Sequence, residues 1–333
     1  VKKRRLGKNG PEVSSIGLGC MGMSEFYGKA DYAQSRKTIL TALDSGVTFL
    51  DTADTYGHGH NEETVGRVLK EWTGEVFVAT KFGIVRDPGA YRRTINGRPE
   101  YVRQAVEASL QRLNREVIDL YYLHRMDAGT PIEDTIGAMA GLVKEGKVRY
   151  LGVSEALADT IRRAHRVYPL TAVQSEYSLF TRGVEKEVLP VIKELGIGFV
   201  AYSPLCRGLL TGQLNRKLLA REGDVRQYLP RMAGNNLIHN QKLVSRITEL
   251  AGQYGVTAAQ LALAWVMAKG KEIVPIPGTK NPKYLLENIK AVDLRMSPEM
   301  IKEIESAVPY TEVRGERYGE TARVGIEEYL STS

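Results

Sequence analysis

Five strand-like runs in this chain each end in a polar residue capable of chemistry. That recurrence constrains the fold more than any other feature. Val47–Asp51, Val76–Lys81, Ile118–His124, Thr171–Gln174 and Gly198–Ser203 are mostly apolar, and they close on a carboxylate, an ammonium, an imidazole, an amide and a hydroxyl. Amphipathic, helix-like stretches separate them. Consecutive strands that end in this way can converge on one mouth, as they do at the C-terminal face of a (β/α)8 barrel.

The rest of the chain keeps the same rhythm. Residues 3–16 read as a short hairpin around the turn dipeptide Asn9-Gly10. Strands are predicted at 16–19, 47–51, 75–80, 117–123, 148–152, 171–174, 197–201 and 272–275. Helices are predicted at 32–45, 61–71, 100–114, 131–145, 156–166, 183–195, 240–254, 257–269, 282–290 and 298–307. Thr130-Pro131-Ile132-Glu133, Thr257 with Gln260, and Ser297-Pro298 carry helix-start chemistry. Alternation of strand and helix implies a parallel sheet, and eight strands fit a closed cylinder. The expected fold is α/β, a (β/α)8 TIM barrel with an N-terminal β-hairpin and long loops at the C-terminal face, one domain over 1–333. The irregular, Arg- and Gly-rich stretch 204–239 suits a lid or binding loop.

Bulk properties narrow the function classes. The longest apolar run, Leu261–Ala268, is far too short to span a bilayer. Two cysteines, Cys20 and Cys206, make no disulfide framework, and the charged start VKKRRLGKNG has no apolar stretch behind it. A reducing, cytoplasmic setting is expected. The net charge of +7 comes with no nucleic-acid-binding motif, so a small-molecule partner is expected, with no nucleic acid and no membrane. Basic residues gather in Arg86–Arg98 and Arg207–Arg231, which suits a basic mouth for a negatively charged ligand. Oligomeric state is open, a homo-oligomer included.

Asp51, Tyr56, Lys81 and His124 form the central constellation. Asp51 and Lys81 end neighbouring strands, so an ion pair between them is easy. Tyr56 lies in the loop after Asp51 and can fold back over the mouth. A free tyrosine, with a pKa of about 10, is a poor acid at neutral pH. A nearby ammonium lowers that pKa, so Lys81 is expected to activate Tyr56 while Asp51 keeps Lys81 charged. His124 can hydrogen-bond the same substrate oxygen. The product is a proton donor aimed at a carbonyl oxygen.

FLDTADTYGHGHNEETVG around Asp51 and Tyr56, ATKFG around Lys81, DLYYLHR around His124, VRYLGVSE ending at Glu155, and AYSPLCRGLLTG from Ala201 are five spaced motifs. In that order they resemble the aldo-keto reductase superfamily. IRRAH, EYSL and PIPGT are similar to the subgroup that includes perakine reductase and pyridoxal reductase. The resemblance implies NADPH-dependent reduction of aldehydes and ketones, with Tyr56 as general acid. It places the nicotinamide end at Ser154, Gln174 and Tyr202, and the pyrophosphate along Ser203, Pro204, Leu205, Gly208 and Leu210. The adenosine phosphate falls at Gly278, Thr279, Lys280, Tyr284, Glu287 and Asn288. Gly19, Met21, Gly22, Asp51 and Ile276 complete the implied cofactor contacts. Tyr284 stands where many relatives carry Arg, so Lys280 is expected to supply charge to the 2′-phosphate. Glu155 stands where many carry Asn. Independently of the resemblance, Asn281 and Pro282 can open a helix whose N-terminus binds phosphate.

Other motifs read differently. Gly17-Leu-Gly19-Cys-Met-Gly22 matches a dinucleotide fingerprint, but no helix pattern opens at Gly22; the next begins near Tyr32. It is expected to be a tight barrel loop. His58-Gly-His60 suggests a rival metal-dependent barrel hydrolase, but later strands offer no further imidazoles, so no metal is expected. A cofactor-binding regulatory subunit with little turnover is a further alternative, which the complete tetrad argues against. Phe26, Tyr27, Phe82 and Tyr91 are candidates for pocket lining or core, and Gly315–Val324 for reaching the substrate.

Overall fold

The computed structural model describes residues 1–86 and 93–330. Two short strands, β1 (Lys3–Arg5) and β2 (Glu12–Ser14), form the antiparallel hairpin expected around Asn9-Gly10. The parallel strands are β3 (Leu18–Gly19), β4 (Phe49–Asp51), β5 (Phe77–Phe82), β8 (Ile118–Leu123), β9 (Val148–Ser154), β10 (Ala172–Glu176), β11 (Gly198–Tyr202) and β12 (Ile273–Ile276). They pair in the order β3-β4-β5-β8-β9-β10-β11-β12. The seam between first and last strand is bridged at Gly19 and Gly278, with Gly17 N–H donating to Pro275 O at 2.9 Å. The cylinder is thus nearly closed, as the (β/α)8 expectation requires. A second hairpin, β6 (Ile84–Arg86) with β7 (Arg93–Ile95), rises after β5 and was not anticipated.

The helices are α1 (Tyr32–Asp44), α2 (His60–Leu69), α3 (Pro99–Leu113), α4 (Ile132–Lys144), α5 (Ala158–Val167), α6 (Val188–Leu195), α7 (Arg216–Leu219), α8 (Gly234–Gln253), α9 (Ala258–Ala268), α10 (Pro282–Ile289), α11 (Pro298–Ala307) and α12 (Glu327–Leu330). Thr257 and Gln260 form the expected reciprocal cap of α9, and Ser297 caps α11 by accepting from Met300 N–H. The cap predicted at Thr130 is corrected. Pro131 itself occupies the cap position, and Thr130 Oγ1 donates instead to Asp127 Oδ2 at 2.9 Å. The run predicted as one helix over 183–195 is broken into a single 3-10 turn, Gly183–Glu185, followed by α6. No helix follows Gly22 directly; Asp31 caps α1 by accepting from Gln34 N–H at 2.7 Å, so the glycine pattern is a loop.

Strand geometry sorts the apolar residues into two cores, because successive side chains point to opposite faces. Phe49, Phe77, Ala79, Leu120, Tyr122, Ala172, Val200 and Val274 fill the cylinder, and Leu6 and Val13 of the hairpin segment pack with them. Val78, Phe82, Tyr121, Leu123, Val173 and Phe199 face the helices. Phe82 stacks on Tyr121 in that outer core at 4.9 Å between centroids, which settles its role as packing. Continuing the inward alternation gives the site: after Phe49 comes Asp51, after Ala79 comes Lys81, after Tyr122 comes His124, after Ala172 comes Gln174, after Val200 comes Tyr202. No helix among the described residues is long and apolar enough to cross a membrane.

Candidate active site

The four residues singled out at the strand ends meet at one rim of the cylinder. Lys81 Nζ donates to Asp51 Oδ1 at 2.5 Å and to Thr52 O at 2.7 Å, and it lies 3.5 Å from the Tyr56 hydroxyl. Gln174 Nε2 donates to the other Asp51 oxygen at 2.8 Å. The His124 ring stands edge-on to Tyr56, with centroids 5.7 Å apart. Tyr56 reaches the rim because its loop is tied to the sheet. Asp54 N–H donates to Lys81 O at 3.0 Å, and Thr52 Oγ1 donates to Asn61 Oδ1 at 2.6 Å. Gly57, His58 and Gly59 then turn the chain through left-handed conformations into α2.

The electrostatics differ from the expectation in one respect. Burial pushes the Tyr56 phenol above its ordinary value. Lys81 pulls it down but does not cancel that effect. The expected net lowering is corrected: a phenol withdrawn from water loses more as phenolate than one ammonium 3.5 Å away returns. Both ends of the ion pair shift upward. Burial lifts Asp51 against the pull of Lys81, whereas Asp51 and Tyr56 lift Lys81 against its own burial. The ammonium is therefore the firmer charge. His124 is held well below the usual imidazole value by burial and then by Arg125, Lys81, Arg93 and Arg86. It is a neutral ring at pH 7, with its Nδ1 buried and unpartnered among the described residues.

The cofactor candidates divide in two. Ser154, Gln174 and Tyr202 gather at the same rim. Ser154 and Gln174 are paired in register, and Ser154 Oγ accepts from Arg125 Nη1 at 3.3 Å. After Tyr202 the chain is strained: Ser203, Cys206 and Arg207 are non-glycine residues at positive φ, and Gly208 follows at 92°. Such conformations cost about 1–3 kcal/mol each and cluster at ligand clamps. Alternating right- and left-handed residues make concavities of backbone N–H groups that suit phosphate. A Cβ on Gly19 would lie 2.9 Å from Ile276 O, so the backbones of the seam approach closely beside that run. Asn281 caps α10 by accepting from Lys283 N–H at 2.9 Å, with Pro282 in its first turn, as expected. These features fit a dinucleotide lying from the rim to the start of α10.

Lys280 has partners that its sequence position does not announce. Its Nζ donates to Tyr27 O at 3.0 Å and Lys29 O at 2.8 Å, tying the 22–30 loop down. Two of its three donors are thus committed to backbone. Tyr284 is exposed, with its hydroxyl 3.4 Å from Gln213 Oε1. Glu287 contributes its carbonyl to Gln260 at 3.0 Å, and Asn288 is buried.

Several rim residues were not foreseen. The segment after α11 crosses the mouth, and Arg317 clamps Glu155 with two bonds, Nη1–Oε1 at 2.9 Å and Nη2–Oε2 at 2.5 Å. Burial raises the Glu155 carboxyl, but Arg317 outweighs it and holds the group down at about 2. The Tyr318 hydroxyl meets that of Tyr202 at 3.0 Å. Arg125 carried a sequence signal, its place directly after His124; Arg317 and Tyr318 lie in the Gly315–Val324 stretch expected to reach the substrate, but their pairing with Glu155 and Tyr202 carried no signal. His60 Nδ1 lies 2.9 Å from Ser24 Oγ, and the described residues contain no cluster of three metal-binding side chains. Cys20 is buried, and burial, then Asp51, pushes its thiol up to about 12. Cys206 is buried as well. Tyr27 lies under Arg226 and Phe26 under Arg86. Tyr91 falls outside the described residues.

The family model described as the aldo/keto reductase family matches residues 15–309. The chain belongs to that family. It is 46% identical over 320 residues to a probable aldo-keto reductase 1 of Glycine max, covering 96% of this chain and 92% of that protein. It is 43% identical over 324 residues to the NADP(+) aldo-keto reductase yakc of Schizosaccharomyces pombe, covering 96% and 94%. Among solved structures, a glycerol dehydrogenase of Gluconobacter oxydans superposes with a TM-score of 0.83 at 31% identity, covering 92% of this chain and 94% of that one. A thermostable aldo-keto reductase crystallised with epalrestat gives 0.73 at 29% identity, covering 92% and 100%. The chain is thus an oxidoreductase of a family that acts on small carbonyl compounds.

Proposed function

We propose that this aldo/keto reductase uses NADPH to reduce aldehydes or ketones to alcohols, with Tyr56 as the proton donor and residues 1–333 working as one unit. The observation that carries the reading is the chain Tyr56–Lys81–Asp51–Gln174, joined end to end at the rim. Membership of the family and the NADP(+) in the name of the yeast relative support the cofactor. When bound, NADPH supplies the hydride.

The residues divide the remaining work. Tyr56, kept neutral by burial, holds the proton that the carbonyl oxygen will take. Lys81 stabilises the phenolate left behind, a charge that develops only as the proton moves, so its effect falls on the transition state. Asp51 keeps Lys81 charged and aimed, and Gln174 fixes the far oxygen of Asp51. His124, neutral, donates a hydrogen bond to the same carbonyl oxygen without competing for the proton. A general acid of this kind typically contributes about 10²–10⁴-fold. Ser154, Gln174 and Tyr202 would hold the nicotinamide end, and Ser203–Leu210 with Gly278–Asn288 the phosphates. Lys280 holds the 22–30 loop with two of its three donors, so a 2′-phosphate taken by the third would tie the cofactor to that loop. NADPH selectivity is therefore expected to be coupled to order in that loop.

The test is a carbonyl panel followed by NADPH absorbance, run in parallel with NADH. Consumption of NADPH with at least one carbonyl is expected. No consumption with any would favour a cofactor-binding subunit with little turnover.

A further inference from the structure

Three arginines, Arg125, Arg93 and Arg86, surround His124 at the rim. Arg125 is buried; its Nη1 donates to His124 O at 2.8 Å, and its Nε is buried without a partner among the described residues. Arg93 of β7 has a buried, unpartnered Nε as well. Arg125 packs against the strand that carries Arg93, and the two guanidinium groups repel each other. A Cβ on Gly325 would lie 2.7 Å from both Arg125 Cβ and Ile95 Cγ1, so one glycine is wedged between Arg125 and β7. Arg86, opposite Arg93 in the hairpin register, donates Nε to Thr55 Oγ1 at 3.1 Å, one residue before Tyr56.

The local carboxylates are committed elsewhere. Glu25 pairs with Arg86 at 2.9 Å and Glu155 with Arg317 at 2.5 Å, while Glu176 lies between Arg207 at 3.8 Å and Arg231 at 3.6 Å. Neither Arg93 nor Arg125 forms an ion pair with a carboxylate among the described residues; Glu155 acts on Arg125 from a distance but spends its two oxygens on Arg317. A guanidinium stays charged in any protein, and a buried donor left unmade is costly. Two such groups beside a reaction site create a field that an anion would relieve, with geometry suited to oxyanions.

We infer that the preferred substrates of this reductase carry an anionic oxygen group, a carboxylate or a phosphate, gripped by Arg93 and Arg125 while the carbonyl lies at Tyr56. The inference rests on the reductase reading above and narrows it. The anionic group is a handle only: the carbonyl gains a hydride at carbon and a proton at oxygen, and the handle is unchanged. The depressed basicity of His124, to which both arginines contribute, agrees with their closeness to the reacting atoms.

Three matched pairs test this with the NADPH-saturated enzyme: 4-carboxybenzaldehyde against 4-methylbenzaldehyde, succinic semialdehyde against butanal, and glyceraldehyde 3-phosphate against glyceraldehyde. We expect kcat/KM to favour the anionic member at least tenfold in one pair or more, and the preference to shrink as salt rises. The first two pairs against the third separate carboxylate from phosphate. Arg93→Met should cut the anionic-to-neutral ratio by tenfold or more without weakening NADPH binding, and Arg93→Lys should restore part of it. Ratios near one, with the neutral aldehydes turning over, overturn the inference and leave the reductase reading standing. A preference that survives Arg93→Met, or a variant that loses NADPH affinity instead, also overturns it. No NADPH oxidation with any of the six, while another carbonyl of the wider panel is reduced, overturns the inference and leaves the reductase reading standing.

Discussion

Replacing Lys81 with Met should make the protein's stability pH-dependent in a specific direction. Asp51 is almost fully buried and accepts two hydrogen bonds, from Lys81 at 2.5 Å and Gln174 at 2.8 Å. Its carboxyl is already raised by burial despite Lys81. Without the ammonium only Gln174 remains, and the folded-state pKa must rise further. Removing one partner of a buried pair typically costs about 3–5 kcal/mol when the remaining charge stays ionised. The carboxyl can avoid this by keeping its proton. The native state then holds a proton that the unfolded chain, titrating near pH ~3.9, has released. Stability therefore falls as pH rises, by about 1.4 kcal/mol per unit. A ceiling of about 3–5 kcal/mol is reached after some 2–3.5 units, so the loss should build between about pH 4 and pH 6–7.5. Urea unfolding of wild type and variant from pH 4.5 to 7.5 measures it. The double variant Lys81→Met/Asp51→Leu should recover most of the loss, because no charge is left unpaired. A penalty independent of pH, one that grows toward acid, or a double variant no better than the single would refute this account of the pair.

The clamp over the mouth should show the opposite sign. Glu155 is held at about 2 by Arg317, so its contribution is complete above the unfolded carboxylate range and is lost as pH falls toward 2. Arg317→Ala should cost about 3–5 kcal/mol near pH 7, with the difference from wild type shrinking in acid unfolding curves below about pH 4. His124 should remain neutral well below pH 6.5, since burial and then Arg125, Lys81, Arg93 and Arg86 oppose its protonation. Nitrogen-15 histidine spectra should therefore show no His124 titration between pH 7.5 and 6, and an imidazolium signal at pH 6 would contradict the packing described.

Much of this site was legible because strand alternation is a local rule. Once Phe49, Ala79, Tyr122 and Ala172 are interior, Asp51, Lys81, His124 and Gln174 must project along the same inner wall. The barrel was legible for the same reason, together with caps such as Thr257 and Ser297 that act within one helical turn. What was not legible depends on contacts between distant segments. Arg317 and Tyr318 reach Glu155 and Tyr202 from well over a hundred residues away, and nothing in GERYG announces that meeting. The β6–β7 hairpin was missed because its second strand lies within Arg86–Arg98, a stretch read for its charge and not for strand pairing. The downward pull of Lys81 on Tyr56 was legible as a charge; the depth of burial that outweighs it was not. Lys280 had its charge read correctly, but not the two backbone oxygens that occupy it.

The central claim is that Tyr56 delivers the proton. Its most direct measurement is a single turnover: NADPH-loaded Tyr56→Phe mixed with a reducible aldehyde, with NADPH absorbance followed in time. The expected result is a rate about 10²–10⁴-fold below wild type, at an NADPH dissociation constant close to the wild-type value. A rate near wild type would contradict the assignment.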